Sequence, residues 1–159
     1  IGPVVDQRQL EQDLSYIEIG KSEGASLFCG GERVARETEG NFLTPALFVD
    51  THNNMRINQE EIFGPIASVI KVKNYDEALN IANDTEFGLS AGIVTNSLKH
   101  ATHFKRHSQS GIAQVNLPTA GVDYHVPFGG TKSSSYGARE QGQYAKEFYT
   151  TVKTSYTAS

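Results

Sequence analysis

Along the whole chain, segments with helix-period apolar residues alternate with short apolar runs bounded by glycine. That alternation excludes an all-helical bundle and an all-β sandwich, and it is the mark of an α/β domain. Residues 6–23 carry Leu10, Leu14 and Ile17 at i, i+4 and i+7, one apolar stripe of a helix. Asp6 caps its start, Lys21 falls in its last turn, and Gly24 suits the left-handed position beyond it. A second helix opens at Asn74, with Glu77 completing a capping box, and buries Tyr75, Ala78, Leu79 and Ala82. A third spans 97–106 with Leu98, Ala101 and Phe104 facing inward, and a fourth is expected over 139–148.

Between these helices lie strand candidates at 26–29, 46–49, 67–72, 92–94 and 112–116, and residues 32–41 read as a charged surface ribbon or loop. Short connections and right-handed crossovers then predict a three-layer α/β/α domain with a mainly parallel sheet that includes 67–72, 92–94 and 112–116. Ligands of such sheets bind beyond the carboxyl ends of the strands. The tail at 149–156, rich in Thr, Tyr and Val, reads as a further strand.

Composition narrows the function. With 159 residues there is room for one domain with a real core. A net charge of −4 argues against a nucleic-acid partner, which needs a positive patch. No run approaches the ~20 apolar residues of a membrane span, and the opening residues lack the pattern of a signal peptide. The single cysteine, Cys29, permits no intrachain disulfide and fits a reducing, cytoplasmic setting. The chain opens at Ile1 and reads as a piece of something longer.

Four features are candidates for chemistry. In Glu60-Glu61-Ile62-Phe63-Gly64-Pro65, two acids precede two bulky apolar groups and a turn-forming pair. A carboxylate held beside an aromatic ring accepts two hydrogen bonds from a diol while the ring packs on a flat ligand. The alternative is a solvent-facing acid pair beside a core phenylalanine. Pro127-Phe128-Gly129-Gly130 follows a long loop and permits close backbone approach, or is an ordinary turn. It is not a dinucleotide fingerprint, because no G-x-G-x-x-G opens a helix here. His100, His103 and His107 share one helix face, but the outer two lie roughly 10.5 Å apart along the axis, too far for one metal ion. They read as a solvated face, with weak chelation by a pair as the alternative. Cys29 ends an apolar run and is expected to be a buried structural thiol rather than a nucleophile.

The motif Glu61-Ile62-Phe63-Gly64-Pro65 resembles one characteristic of the NAD(P)-dependent aldehyde dehydrogenase superfamily. The similarity runs along the chain in order, through Gly2-Pro3, Gly24-Ala25, Gly30-Gly31, residues 75–83 and 87–92, Pro127 to Lys132, and Arg139-Glu140. Residues 116–127, Ser134-Ser135-Tyr136-Gly137 and 148–154 further resemble the bacterial α-ketoglutaric semialdehyde dehydrogenase branch. Ser135 stands where most members of the superfamily have glycine.

The resemblance implies an oxidoreductase that uses NAD or NADP to oxidise a small aldehyde to its acid. It implies that Glu61 accepts hydrogen bonds from the nicotinamide ribose and that Phe63 packs near the nicotinamide ring. It also implies that Phe128 lines the aldehyde pocket and that Leu117, Pro118 and Thr119 help wall the substrate tunnel. The family's nucleophilic cysteine and general base have no match in the chain, so no catalytic residue and no metal ligand is expected in it. Residues 1–148 would form the C-terminal part of a catalytic domain, and residues 149–159 an oligomerisation strand and tail building a homo-dimer or tetramer. The alternative is a free-standing, non-catalytic binding domain derived from the same family.

Overall fold

A computed structural model describes residues 1–158; Ser159, the last residue of the expected tail, lies outside them. The chain forms two compact units, Ile1–Lys73 and Asn74–Ser159.

The first unit opens with helix α1 (Gln7–Ser22). The Asp6 side chain accepts from the Gln9 amide at 2.8 Å, the expected N-cap. At the other end Gly24, at φ 93°, and Ala25 donate to Lys21 O and Gly20 O, which closes the helix with a Schellman motif. The buried face carries Leu10, Asp13, Ile17 and Gly20, with Leu14 half-buried beside it. The strands are β1 (Ser26–Cys29), β2 (Arg33–Val34), β3 (Phe42–Leu43), β4 (Ala46–Val49) and β5 (Ile66–Ser68), with the short helix α2 (Arg56–Gln59) between the last two. β1 pairs antiparallel with β4, and β4 pairs parallel with β5, so α2 lies in the crossover that a parallel pair requires. The charged segment after β1 forms a two-stranded ribbon, β2 with β3. Phe48 is fully buried at the centre of a core with Leu10, Ile17, Ala46, Met55 and Ile57. Its ring lies directly against Gly20, where a Cβ would sit 3.0 Å from Phe48 Cζ.

The second unit contains α3 (Tyr75–Asn83), β6 (Phe87–Gly88), β7 (Ser90–Ile93), α4 (Leu98–His107), β8 (Ile112–Val115), β9 (Thr131–Lys132) and α5 (Ala145–Tyr149). Asn74 and Ser97 cap α3 and α4 by accepting from the amides of Glu77 and His100. β7 and β8 pair in parallel across α4, and β6 pairs antiparallel with β9. Leu79 and Phe104 are its buried hydrophobic residues.

The fold is α/β as expected, with parallel pairs β4–β5 and β7–β8 and antiparallel pairs β1–β4, β2–β3 and β6–β9. β5 lies in one sheet and β7 with β8 in another, rather than all three in a single parallel sheet. The strand expected over 67–72 begins at Ile66 and ends at Ser68. The last helix is shorter than 139–148, because Gln141 adopts φ 68° and a 3-10 turn, Gly142–Tyr144, precedes α5. Leu98 is exposed rather than inward-facing. At 3.6 residues per turn it lies about 120° around the helix from Phe104, off the buried face. Residues 151–158 carry no helix or strand, because a lone strand has no ladder partner within the chain. No helix among the described residues is long and apolar enough to cross a membrane.

Truncating Phe48 removes the largest buried side chain of the first unit. Phe48→Ala is expected to cost about 3–5 kcal/mol, read as a lowered midpoint in chemical denaturation.

Candidate active site

The segment 60–65 joins α2 to β5, and both of its ends are pinned. Arg56 N donates to both Glu23 carboxylate oxygens, at 3.2 and 3.0 Å, which anchors the start of α2. Beyond the motif, Ala46 N donates to Pro65 O at 2.8 Å and Ile66 N to Gly64 O at 2.8 Å. In the middle, the side-chain amides of Gln9 and Gln12 both donate to Ile62 O, at 2.8 and 3.0 Å. Phe63 follows in the left-handed region at φ 59°, which is rare for a bulky residue, and its ring is 77% exposed.

The two neighbouring acids have separate fates. Glu60 accepts a bidentate pair from Arg56, at 2.8 and 2.9 Å, and a third hydrogen bond from the Tyr16 hydroxyl at 2.6 Å. The Arg56 guanidinium also lies 5.8 Å over the Tyr16 ring. These donors, Arg56 first, hold the Glu60 carboxyl down at about 2, and the same carboxylate pushes the Tyr16 phenol up. Glu61 is exposed, and among the described residues no hydrogen bond or ion pair holds its carboxylate. Of the pair, Glu61 alone has both oxygens available to a ligand.

In the second unit, Leu117, Pro118 and Thr119 follow the carboxyl end of β8 and are exposed. Asn116, at φ 54°, fixes their exit through a reciprocal amide pair with Thr95, at 2.8 and 3.0 Å. Phe128 is half-buried and held by an antiparallel bridge to Glu140, with hydrogen bonds of 2.7 and 2.8 Å. The following turn passes so close to β8 that a Cβ on Gly111 would overlap Gly129 O. Gly130 N donates to Ser135 Oγ at 2.7 Å, and Arg139 donates to Gly130 O. Ser135 therefore ties down the turn it belongs to. Lys132 Nζ donates to Asn83 O and Thr85 O at 2.6 and 2.9 Å, closing the C-terminal end of α3.

Glu61 and Phe63 thus share one loop of the first unit, while Leu117, Pro118, Thr119 and Phe128 belong to the second. The 117–119 segment lies beyond the carboxyl end of β8, whereas the Glu61 loop precedes the amino end of β5.

Two other expectations change. Cys29 is exposed, at the end of the edge strand β1. His100 and His103 pack α3 on α4, while His107 is exposed on the same helix. Tyr75 stacks on His100 at 4.3 Å, the Tyr75 hydroxyl lies 2.9 Å from His103 Nδ1, and the His103 and His107 rings stack at 3.8 Å. Among the described residues no group of three or more His, Cys, Asp or Glu is placed to hold a metal.

Sequence reasoning missed Gln9, Gln12 and Asp13. The available signal was a polar trio at i, i+3 and i+4 overlapping the apolar stripe of α1.

The aldehyde dehydrogenase family profile matches residues 1–155, and the chain belongs to that family. Within it, the chain is 47% identical over 156 residues to the alpha-ketoglutaric semialdehyde dehydrogenase of Bacillus subtilis, covering 97% of this chain and 32% of the relative. It is also 47% identical over 160 residues to the alpha-ketoglutarate semialdehyde dehydrogenase of Haloferax volcanii, covering 98% and 33%. The indole-3-acetaldehyde dehydrogenase of P. syringae, solved with NAD+, superposes with a TM-score of 0.89 at 40% identity, covering 96% of this chain and 30% of that one. The chain thus spans about a third of the length of these relatives.

Folding lowers the Glu60 carboxyl from its ordinary 4.5 to about 2. The stability this adds is complete above the unfolded value and is lost as the pH falls through the folded one. Wild type is therefore expected to melt above Glu60→Gln at neutral pH, with the two melting curves converging toward pH ~2.

Proposed function

We propose that this chain is the cofactor- and substrate-positioning part of an NAD(P)-dependent aldehyde dehydrogenase that oxidises a small semialdehyde, α-ketoglutaric semialdehyde or a close analogue. The observation that carries this is the unequal treatment of the two acids: Glu60 is committed to Arg56 and Tyr16, while Glu61 is presented free beside an exposed Phe63. A free carboxylate with two acceptor oxygens suits a ribose diol, and an exposed ring on a pinned loop suits the face of a nicotinamide. The residues present therefore fit the cofactor.

A nicotinamide held by Glu61 and Phe63 would supply the hydride acceptor for the oxidation. What this chain contributes is orientation: Glu61 holds the ribose, Phe63 limits the tilt of the ring, and Phe128 with Leu117, Pro118 and Thr119 shapes the aldehyde pocket. The thiol nucleophile and general base belong to the portion of the family sequence that this chain does not match. The semialdehyde assignment is supported by the names of the Bacillus and Haloferax relatives. The reading carries with it a cytoplasmic setting.

In the same reading, residues 1–148 are catalytic-domain sequence and 149–159 form an oligomerisation strand. Tyr149, Val152 and Tyr156 are 71%, 97% and 95% exposed in a segment of high strand propensity. Pairing with a second subunit satisfies that backbone and covers those side chains, giving a homo-dimer or a tetramer of dimers.

In the full-length enzyme, Glu61→Gln replaces one acceptor by a donor. It is expected to slow hydride transfer about 10- to 100-fold, the worth of one charge-assisted hydrogen bond. The melting temperature should stay put, since among the described residues Glu61 has no partner. A sharp fall in melting with normal activity per folded molecule would make Glu61 a structural acid. Deleting 149–159 should lower the assembly mass in light scattering, and an unchanged mass would remove the tail from the interface.

A further inference from the structure

Asp13 is fully buried on the face of α1 that also carries Leu10 and Ile17. An ionisable group there costs free energy that a leucine would not. Its Oδ1 accepts from Gln9 Nε2 at 2.7 Å, and its Oδ2 has no hydrogen-bond partner. Burial pushes the carboxyl up from its ordinary range, with the Gln9 bond opposing it. The same Gln9 nitrogen donates to Ile62 O at 2.8 Å, so a single amide joins the buried acid to the loop. Two residues further on, the loop backbone rests on the carboxyl itself. A Cβ on Gly64 would overlap Oδ1, Cγ and Oδ2 of Asp13. Between these two contacts stands Phe63 in its left-handed conformation.

We propose that Asp13 is a positioning residue for the cofactor loop: it orients the Gln9 amide toward Ile62 O and supplies the surface on which Gly64 rests, and so sets where Glu61 and Phe63 point. This rests on the assignment of Glu61 and Phe63 to the nicotinamide. The amide of Gln9 has two N–H groups and finds two acceptors, Asp13 Oδ1 and Ile62 O. Removing the first leaves one N–H unpaired and the amide free to turn away from the second. A side chain that served packing alone would be apolar at this depth.

The test uses the full-length enzyme with Asp13→Leu, Asp13→Asn and Glu61→Gln, measuring single-turnover hydride transfer, hydrogen exchange across 61–64, and melting. Asp13→Leu is expected to speed exchange across 61–64 and slow hydride transfer about tenfold without lowering the melting temperature. Asp13→Asn keeps an acceptor for Gln9 and is expected to restore most of the rate. If Asp13→Leu does not fold, Asp13→Ala removes the same acceptor with the least steric change and carries the same expectations for exchange and rate. Unchanged exchange across 61–64 overturns the proposal, as does an asparagine variant no better than the apolar one. Faster exchange with a normal hydride-transfer rate also overturns it. If Glu61→Gln is slow in that case, the assignment of Glu61 survives; if Glu61→Gln is also normal, that assignment falls too.

Discussion

Ile62 O accepts hydrogen bonds from two glutamine side chains of α1, and the geometry of the first unit follows from that double contact. It ties the helix to the loop, while Pro65 O ties the loop to β4 and the parallel pairing of β4 with β5 ties it to the sheet. The loop is thereby held at its middle and at its exit by polar groups that have given up water to reach it. Loops anchored in this way lose little further entropy when a ligand arrives, which is what preorganisation means in free-energy terms. Glu61 and Phe63 are left pointing outward because the backbone around them is already committed.

The same division recurs in the second unit. Lys132, Ser135 and Arg139 all belong to motif segments, yet each spends its polar atoms on backbone: Lys132 on the end of α3, Ser135 and Arg139 on Gly130. What they leave unspent is Leu117, Pro118 and Thr119 beyond β8 and the half-buried ring of Phe128. Within these motif segments, then, Lys132, Ser135 and Arg139 build the frame, while Leu117, Pro118 and Thr119 remain exposed. Glu61 differs from the first three, because among the described residues no hydrogen bond or ion pair holds its carboxylate.

Local features were legible in the sequence because local chemistry decides them. Asp6, Asn74 and Ser97 each cap the helix that their side chain suits, and Gly24 takes the positive φ that ends α1. Features decided by distant partners were not legible. Asp13 lies inside an apolar stripe, and its role appears only when Gly64, far along the chain, is brought against it. Cys29 ends an apolar run, but whether other elements cover that run is decided by packing that the run does not encode. The tail has the composition of a strand, and composition cannot provide the second strand that a ladder needs. The Glu60–Glu61 pair was legible as a motif. Which acid was free depended on Arg56, one helical turn earlier, and on Tyr16 from α1.

Two strained residues, one in each unit, obey a common physical logic. Phe63 and Asn116 both occupy the left-handed region at a cost of order 1–3 kcal/mol each, and neither is glycine. Each is pinned by side-chain amides, Phe63 through the glutamine pair on the preceding carbonyl and Asn116 through its own pairing with Thr95. Each sits at or immediately before an exposed apolar residue, the Phe63 ring itself and Leu117. Leu98 is also exposed, at 81%, but no positive-φ residue and no such clamp accompanies it. Exposure by itself therefore does not imply a fixed conformation in this chain. Exposure held in place by a costly backbone does, because strain persists only where the surrounding contacts over-determine the conformation.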